Sequence, residues 1–193
     1  QATMQKLGQI IDWVRDERSD VKLGIYGFGP LRDYWTPVQY WAAVENSDDR
    51  WYRLHLPLYE SLYRKWQAAN DFLKPLMDKV DYIVPSLFAF YDNSVDWVRY
   101  AKGNLEEAQR YGKPVIPFIW MDFHNSTELI DQRVSAEFWQ VQLETVYKMA
   151  DGVVIWGGVS FSPKSYGVAQ AWNEQEPWWV VTKSFLTGLG QPQ

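Results

Sequence analysis

An α/β fold built on parallel strands is what this 193-residue sequence predicts, on three observations. Short apolar runs of strand length occur four times, at 21–26, 82–88, 114–120 and 152–156. Segments with helical periodicity separate them and flank the set on both sides. The last run, Val153-Val-Ile155, is continuous rather than alternating and is closed by Trp156, Gly157 and Gly158, the pattern of a strand buried on both faces and followed by a tight turn. The order α-β-α-β-α-β-α-β-α calls for a parallel sheet with right-handed crossovers. Two architectures satisfy it: an open sheet with helices on both faces, or half of a (β/α) barrel, which needs eight strands and usually about 250 residues. No glycine-rich phosphate loop follows any of the four strands, which counts against a nucleotide-binding open sheet.

Met4, Leu7, Ile10, Ile11 and Val14 recur at helical spacing, so 2–18 form an amphipathic helix. Ser19-Asp20 ends it, 21–26 is the first strand, and Gly27-Phe-Gly-Pro30 is a turn. The segment 31–50 reads as irregular around Pro37, with a short helix near 41–44. Asp49 is placed to cap a long helix over 50–79, kinked at Pro57. After the second strand come a loop with Phe90, Tyr91, Asp92 and Asn93, then a helix over 94–111 stopped by Gly112. The third strand, 114–120, leads into a loop with Asp122, His124 and the glycosylation sequon Asn125-Ser-Thr127. A helix over 130–149 precedes the fourth strand, and helices near 164–172 and 177–188 close the chain.

The length suffices for one domain with a core of its own. Aromatic residues make up 17% of the chain, with 12 Trp, 12 Tyr and 9 Phe; at strand ends and in loops such rings stack on the CH-rich faces of sugars, and elsewhere they fill the core. A net charge of −5 without a Lys/Arg block argues against nucleic acid, and against a surface that gathers a polyanion. No apolar run reaches membrane-spanning length and no signal peptide is visible. The absence of cysteine excludes a disulfide framework and a thiol nucleophile, and two widely separated histidines do not make a His-rich metal site. A start at Gln1 rather than Met is what a processed or trimmed piece would show.

The strand ends carry a resemblance. Gly24-Ile-Tyr-Gly-Phe-Gly-Pro30 resembles the strand and turn of hyaluronidases that reads approximately G-(F/Y)-Y-x-F-P, and Tyr82-Ile-Val-Pro-Ser-Leu-Phe88 resembles their (L/Y)-Y-P-S-(I/L)-Y strand. Glu106-Glu-Ala108 ahead of Pro114-Val-Ile-Pro117 is similar to the helix and strand that follow, and 151–158 resembles their G-(V/I)-V-(L/I)-W-G segment. The four segments keep their order over most of residues 1–188.

The resemblance implies a TIM-barrel-like (β/α) fold, with the four parallel strands of 1–193 forming the C-terminal part of a larger barrel. It implies a glycoside hydrolase that cleaves β-linked N-acetylhexosamine bonds by a retaining, substrate-assisted route, with no metal and no organic cofactor. Its substrate would be a polysaccharide and its location extracellular. Tyr26 matches a tyrosine near the substrate's acetamido group, and Trp156 the tryptophan beneath the sugar. Phe88 stands where a second tyrosine is expected, a lost hydroxyl that Tyr91 could replace.

The family's catalytic Asp-x-Glu pair is absent: no Asp of this chain is followed two positions later by Glu, and Asp16-Glu17 has the wrong spacing. The acid is therefore expected outside the chain, in a missing N-terminal barrel half or in another chain. Absence of cysteine also departs from the animal enzymes, where disulfides are usual. Trp120, at a strand terminus, is a further candidate for lining a sugar subsite. Asp122 with His124 offers an acid/base pair at the third strand's mouth, and Asn125 a glycosylation site. Two alternatives to the enzyme remain: a non-catalytic carbohydrate-binding barrel, and a small open-sheet hydrolase working through Asp122 and His124.

Overall fold

The computed structural model describes residues 2–160, 166–169 and 171–189. The elements run α1 (Ala2–Glu17), α2 (Trp35–Glu45), α3 (Arg50–Asp71), α4 (Lys74–Met77), α5 (Ser94–Gln109), β1 (Phe118–Trp120), α6 (Ala136–Met149), β2 (Val154–Trp156) and α7 (Pro177–Leu189). The helix starts follow side-chain capping. Asp49 accepts from the Trp51 and Tyr52 N–H groups, Asn93 from Asp96 and Ser135 from Phe138, each satisfying donors that the first turn leaves without a partner. Gly112, at φ +68°, turns the chain just after α5.

The strands differ from expectation. Among the described residues the regular sheet has two parallel strands, β1 and β2, pairing Phe118 with Val154 and Trp120 with Trp156. The segments 21–26 and 82–88 lie alongside through isolated parallel bridges only, Gly24 to Tyr82, Ile83 to Val115 and Ser86 to Phe118. Proline is the reason. The register of the last two bridges sets Pro85 where an N–H would donate to Ile116 O, so that bond is missing and the ladder breaks at its middle; Pro117 faces the other neighbour, accepting from Val154 N. The bonds that remain are Ile83 N to Pro114 O, Ile116 N to Ile83 O, Phe118 N to Pro85 O and Leu87 N to Phe118 O, at 2.8–2.9 Å. The architecture is thus mixed α/β around a short parallel sheet, not four regular strands.

Helix boundaries shift for similar local reasons. α2 covers Trp35–Glu45 rather than a short stretch near 41–44, because Pro37 falls in its first turn, where a missing N–H costs nothing, and Asp33 accepts from Thr36 N at 2.9 Å. The expected helix over 50–79 divides at 72–73. Pro75 can open α4 but cannot continue α3. α6 begins at Ala136 rather than near 130, since the backbone of 132–134 bonds back to Met121 and Phe123. The helix expected near 164–172 lies partly outside the described residues. Within them, Ala169 bridges Val159 in antiparallel fashion, so that stretch is not helical.

The two faces of the sheet are unequal. Ile83, Leu87, Val115 and Ile119 are at most 1% exposed and pack in one core with Trp97, Tyr100 and Leu105 of α5 and with Trp139 and Leu143 of α6. Alternate residues point the other way. There Val84, Ser86, Ile116, Phe118 and Val154 are only half-buried, and Tyr26 and Trp156 are exposed.

Candidate functional site

Tyr26 and the C-terminal ends of the strands build the site on that open face. The Tyr26 ring packs on Phe118, with centroids 4.6 Å apart, and lies 6.2 Å from Phe88. Its hydroxyl is 3.3 Å from Ser86 Oγ. A cavity of about 350 Å³ opens here, lined by Tyr26, Gly27, Pro30, Arg32, Ser86 and Asn104. Trp156, 42% exposed, ends β2 and is followed by Gly157 and Gly158 at φ +147° and +96°. Gly157 also admits a close approach: a Cβ there would meet the Met121 sulfur at 2.5 Å.

Trp120 and Tyr91 are placed differently. Trp120 is 3% exposed, its indole set edgewise against Phe88 at 5.2 Å, so it is a core residue rather than an open sugar platform. Tyr91 does not line the Tyr26 cavity. It is exposed beside Trp35, at 5.1 Å, and Tyr34, at 5.0 Å. The hydroxyl that Phe88 lacks is therefore not supplied by Tyr91. A run of ring contacts nevertheless joins the two places, from Tyr91 through Tyr34 and Phe90 to His124 and Phe88.

Asp122 and His124 do not meet as an acid/base pair. Asp122 is 1% exposed and its carboxylate pairs with the Arg133 guanidinium, which lies 3.6 Å from Glu176 on its other side. Burial pushes the Asp122 carboxyl up, and Arg133 opposes that shift. His124 is stacked on Phe90 at 4.6 Å, with Nδ1 2.7 Å from Ser126 Oγ and Nε2 3.3 Å from Arg32 Nη1. Burial, reinforced by Arg32, holds its imidazole down at about 4, so near neutral pH it is uncharged. Arg32 can only donate, so Nε2 accepts from it, while Nδ1 lies between Ser126 Oγ and the Ser126 N–H at 3.1 Å. Asn125 is exposed in the same loop.

Arg32, Ser86 and Arg133 were not candidates on sequence. Ser86 lies inside the Pro-Ser strand segment, and that motif is its sequence signal. Arg32 and Arg133 lie in stretches with no motif, and only the folding of two loops brings them to the strand ends. Among the described residues no group of three or more His, Asp or Glu side chains is placed to hold a metal ion. None of the described helices is long and apolar enough to cross a membrane.

No protein-family model matches the sequence, and no curated protein matches it. Solved structures do resemble it. Bee venom hyaluronidase in a monoclinic crystal form aligns with a TM-score of 0.57 at 17% identity, over 80% of this chain and 45% of that one. Bee venom hyaluronidase in complex with hyaluronic acid tetramer aligns with a TM-score of 0.57 at 16% identity, over 95% of this chain and 48% of that one. The chain spans about half the length of these structures. At such identity the likeness is one of fold, and the chain has a hyaluronidase-like α/β fold.

Proposed function

We propose that this chain is part of a glycoside-hydrolase-like barrel of the hyaluronidase kind, acting on or binding an extracellular polysaccharide that contains N-acetylhexosamine. The observation that carries the reading is the open sheet face: Tyr26 and Trp156 stand exposed on the same side of the strands as Phe118, and Tyr26 lines a cavity of about 350 Å³. The fold likeness to a hyaluronidase described with a hyaluronic acid tetramer supports the choice of ligand.

In this reading residues 1–193 form a partial (β/α) barrel, and the half-buried face of Val84, Ile116, Phe118 and Val154 is its interior. Trp156 stacks under an N-acetylhexosamine and Tyr26 hydrogen-bonds near its acetamido group. The chemistry proposed is retaining and substrate-assisted, an exception to the scheme with two protein carboxylates. A glutamic acid outside this chain protonates the leaving glycosidic oxygen as the substrate's acetamido oxygen bonds the anomeric carbon; water then opens that intermediate and returns the proton to the glutamate. A second reading, a non-catalytic glycan-binding barrel, is favoured by one observation, the lack of any Asp-x-Glu in the sequence.

Calorimetric titration of the chain with hyaluronan oligosaccharides tests the common claim, and Trp156→Ala should weaken binding roughly fivefold, for stacking worth about 1 kcal/mol. Absence of binding to any of them, or an affinity unmoved by that substitution, overturns it. Release of new reducing ends from hyaluronan separates enzyme from binder.

A further inference from the structure

A second cavity, of about 310 Å³, lies behind the sheet rather than on its open face. Ile155 lines it, and Ile155 alternates with Trp156 along β2, so the two side chains point to opposite sides. No residue is common to the linings of this cavity and the Tyr26 cavity. Its size falls at the lower end of small-molecule pockets.

Three indoles make up much of the wall. Trp172, Trp178 and Trp179 have ring centroids 5.0–6.0 Å apart and planes inclined at 59–81° to one another. A flat sugar ring stacks on one open face. Rings set this steeply form a corner instead, which suits a compact, rounded group, and indole is the side-chain ring that attracts a cation most strongly. Trp172 is 61% exposed, so the corner is reached from solvent.

The charged part of the lining points the same way. The Arg133 guanidinium lies between Asp122 and Glu176, the latter at 3.6 Å, so two carboxylates face one cation and a negative charge is left over. The polar groups are already engaged, because Asn173 Oδ1 accepts from Gln175 N at 3.0 Å and Glu176 faces Arg133. A primary amine would bring three N–H donors to a wall with little left to accept them. A quaternary nitrogen brings none.

From this we infer that the cavity behind the sheet binds a trimethylammonium group, its methyls against Trp172, Trp178 and Trp179 and its charge balanced through Glu176. The inference stands apart from the glycan reading and uses none of its residues.

The test is a titration of the full chain with choline and with its uncharged tert-butyl analogue, following the ligand methyl resonances. Choline methyls should shift upfield under the indole rings and saturate, and the uncharged analogue should bind roughly tenfold more weakly. Trp172→Ala should weaken choline roughly tenfold, and Glu176→Gln, which removes the left-over charge, roughly threefold. Phosphatidylcholine vesicles separate two sources of the group. A chain that stays in the supernatant takes the free compound, and one that sediments with vesicles, except as Trp172→Ala, takes the lipid headgroup. Equal affinity for choline and its analogue, an affinity unmoved by Trp172→Ala, or no saturation by choline or vesicles overturns the inference and leaves the glycan reading standing. Loss of hyaluronan affinity in Trp172→Ala also overturns it, since the cavity would then belong to the glycan site.

Discussion

Trp120 and Trp156 face each other in register on adjacent parallel strands, yet one is 3% exposed and the other 42%. In-register residues of a parallel pair point to the same side, so the contrast comes from neighbours. Trp120 has the Phe88 ring against it, whereas Trp156 belongs to the last strand of the described sheet. The two indoles should therefore separate stability from binding. Trp120→Ala should cost about 3–5 kcal/mol of folding free energy, as large-to-small core substitutions of this kind do. Trp156→Ala should stay within about 0.5 kcal/mol of the parent, as exposed substitutions do, while losing sugar affinity. Chemical denaturation of both variants checks this, and comparable losses of stability would contradict it.

Acid should loosen the contact between α1 and the first strand segment. Asp81 accepts from Leu23 N at 2.9 Å and from Arg15 Nη2 at 2.7 Å, with Lys22 Nζ at 3.4 Å. The backbone bond, then Arg15, holds its carboxyl down at about 2. A carboxyl whose folded value lies below its unfolded value near about 3.9 adds stability that is present above that pH and is lost as pH falls toward 2. Melting temperature should drop across that window in the parent and change less steeply in Asp81→Asn, which should also melt lower at neutral pH. Parallel pH profiles for the two would remove Asp81 from the account.

The parts that local chemistry determines were legible in the sequence, and those that depend on partners were not. Asp49 was readable as a cap and Gly112 as a stop because each acts on its own few residues. The four apolar runs were readable as sheet segments, but the bond that Pro85 fails to make to Ile116 depends on the register between two distant segments. Tyr26 and Trp156 were legible from strand-end motifs. Trp120 also ends a strand, but the Phe88 ring that covers it comes from a segment distant in sequence. Asp122 and His124, two positions apart, looked like a pair; Arg133 and Arg32, brought in from other loops, take one each.

Gly103 should not tolerate a methyl group. It sits in α5 where α2 crosses, and a Cβ there would lie 2.6 Å from Pro37 Cβ, on a ring that cannot rotate away. Alanine in a helix gains about 1 kcal/mol over glycine, but forced overpacking costs about 1–3 kcal/mol. Gly103→Ala should therefore be destabilising on balance, lowering the melting temperature by a few degrees, at about 2–4 °C per kcal/mol for a chain of this size. A raised melting temperature would show that the two helices can separate freely.

Asp122→Asn should behave as a stability variant. The substitution removes the nearly buried charge of the pair and leaves the Arg133 guanidinium with Glu176 at 3.6 Å. Breaking a fully buried pair costs about 3–5 kcal/mol; with Arg133 one-third exposed, the expected loss is smaller, about 2 kcal/mol. Affinity for hyaluronan oligosaccharides should be unchanged. A variant that folds as well as the parent but loses all catalysis would instead favour the acid/base role for Asp122.

His124 should remain neutral across the physiological range and report on Arg32. Its imidazole is held down at about 4 by burial first and by Arg32 second. Its folded value lies below the ordinary unfolded value near about 6.5, so its contribution to stability is complete above that pH and is lost as pH falls toward 4. The ring C–H resonances of His124 should titrate with a midpoint near 4, well apart from an ordinary surface histidine. Arg32→Gln removes the neighbouring charge and should raise that midpoint, though not to the ordinary value, since Phe90 still covers the ring at 4.6 Å. A midpoint that does not move in Arg32→Gln would mean that the guanidinium does not rest on Nε2 in solution.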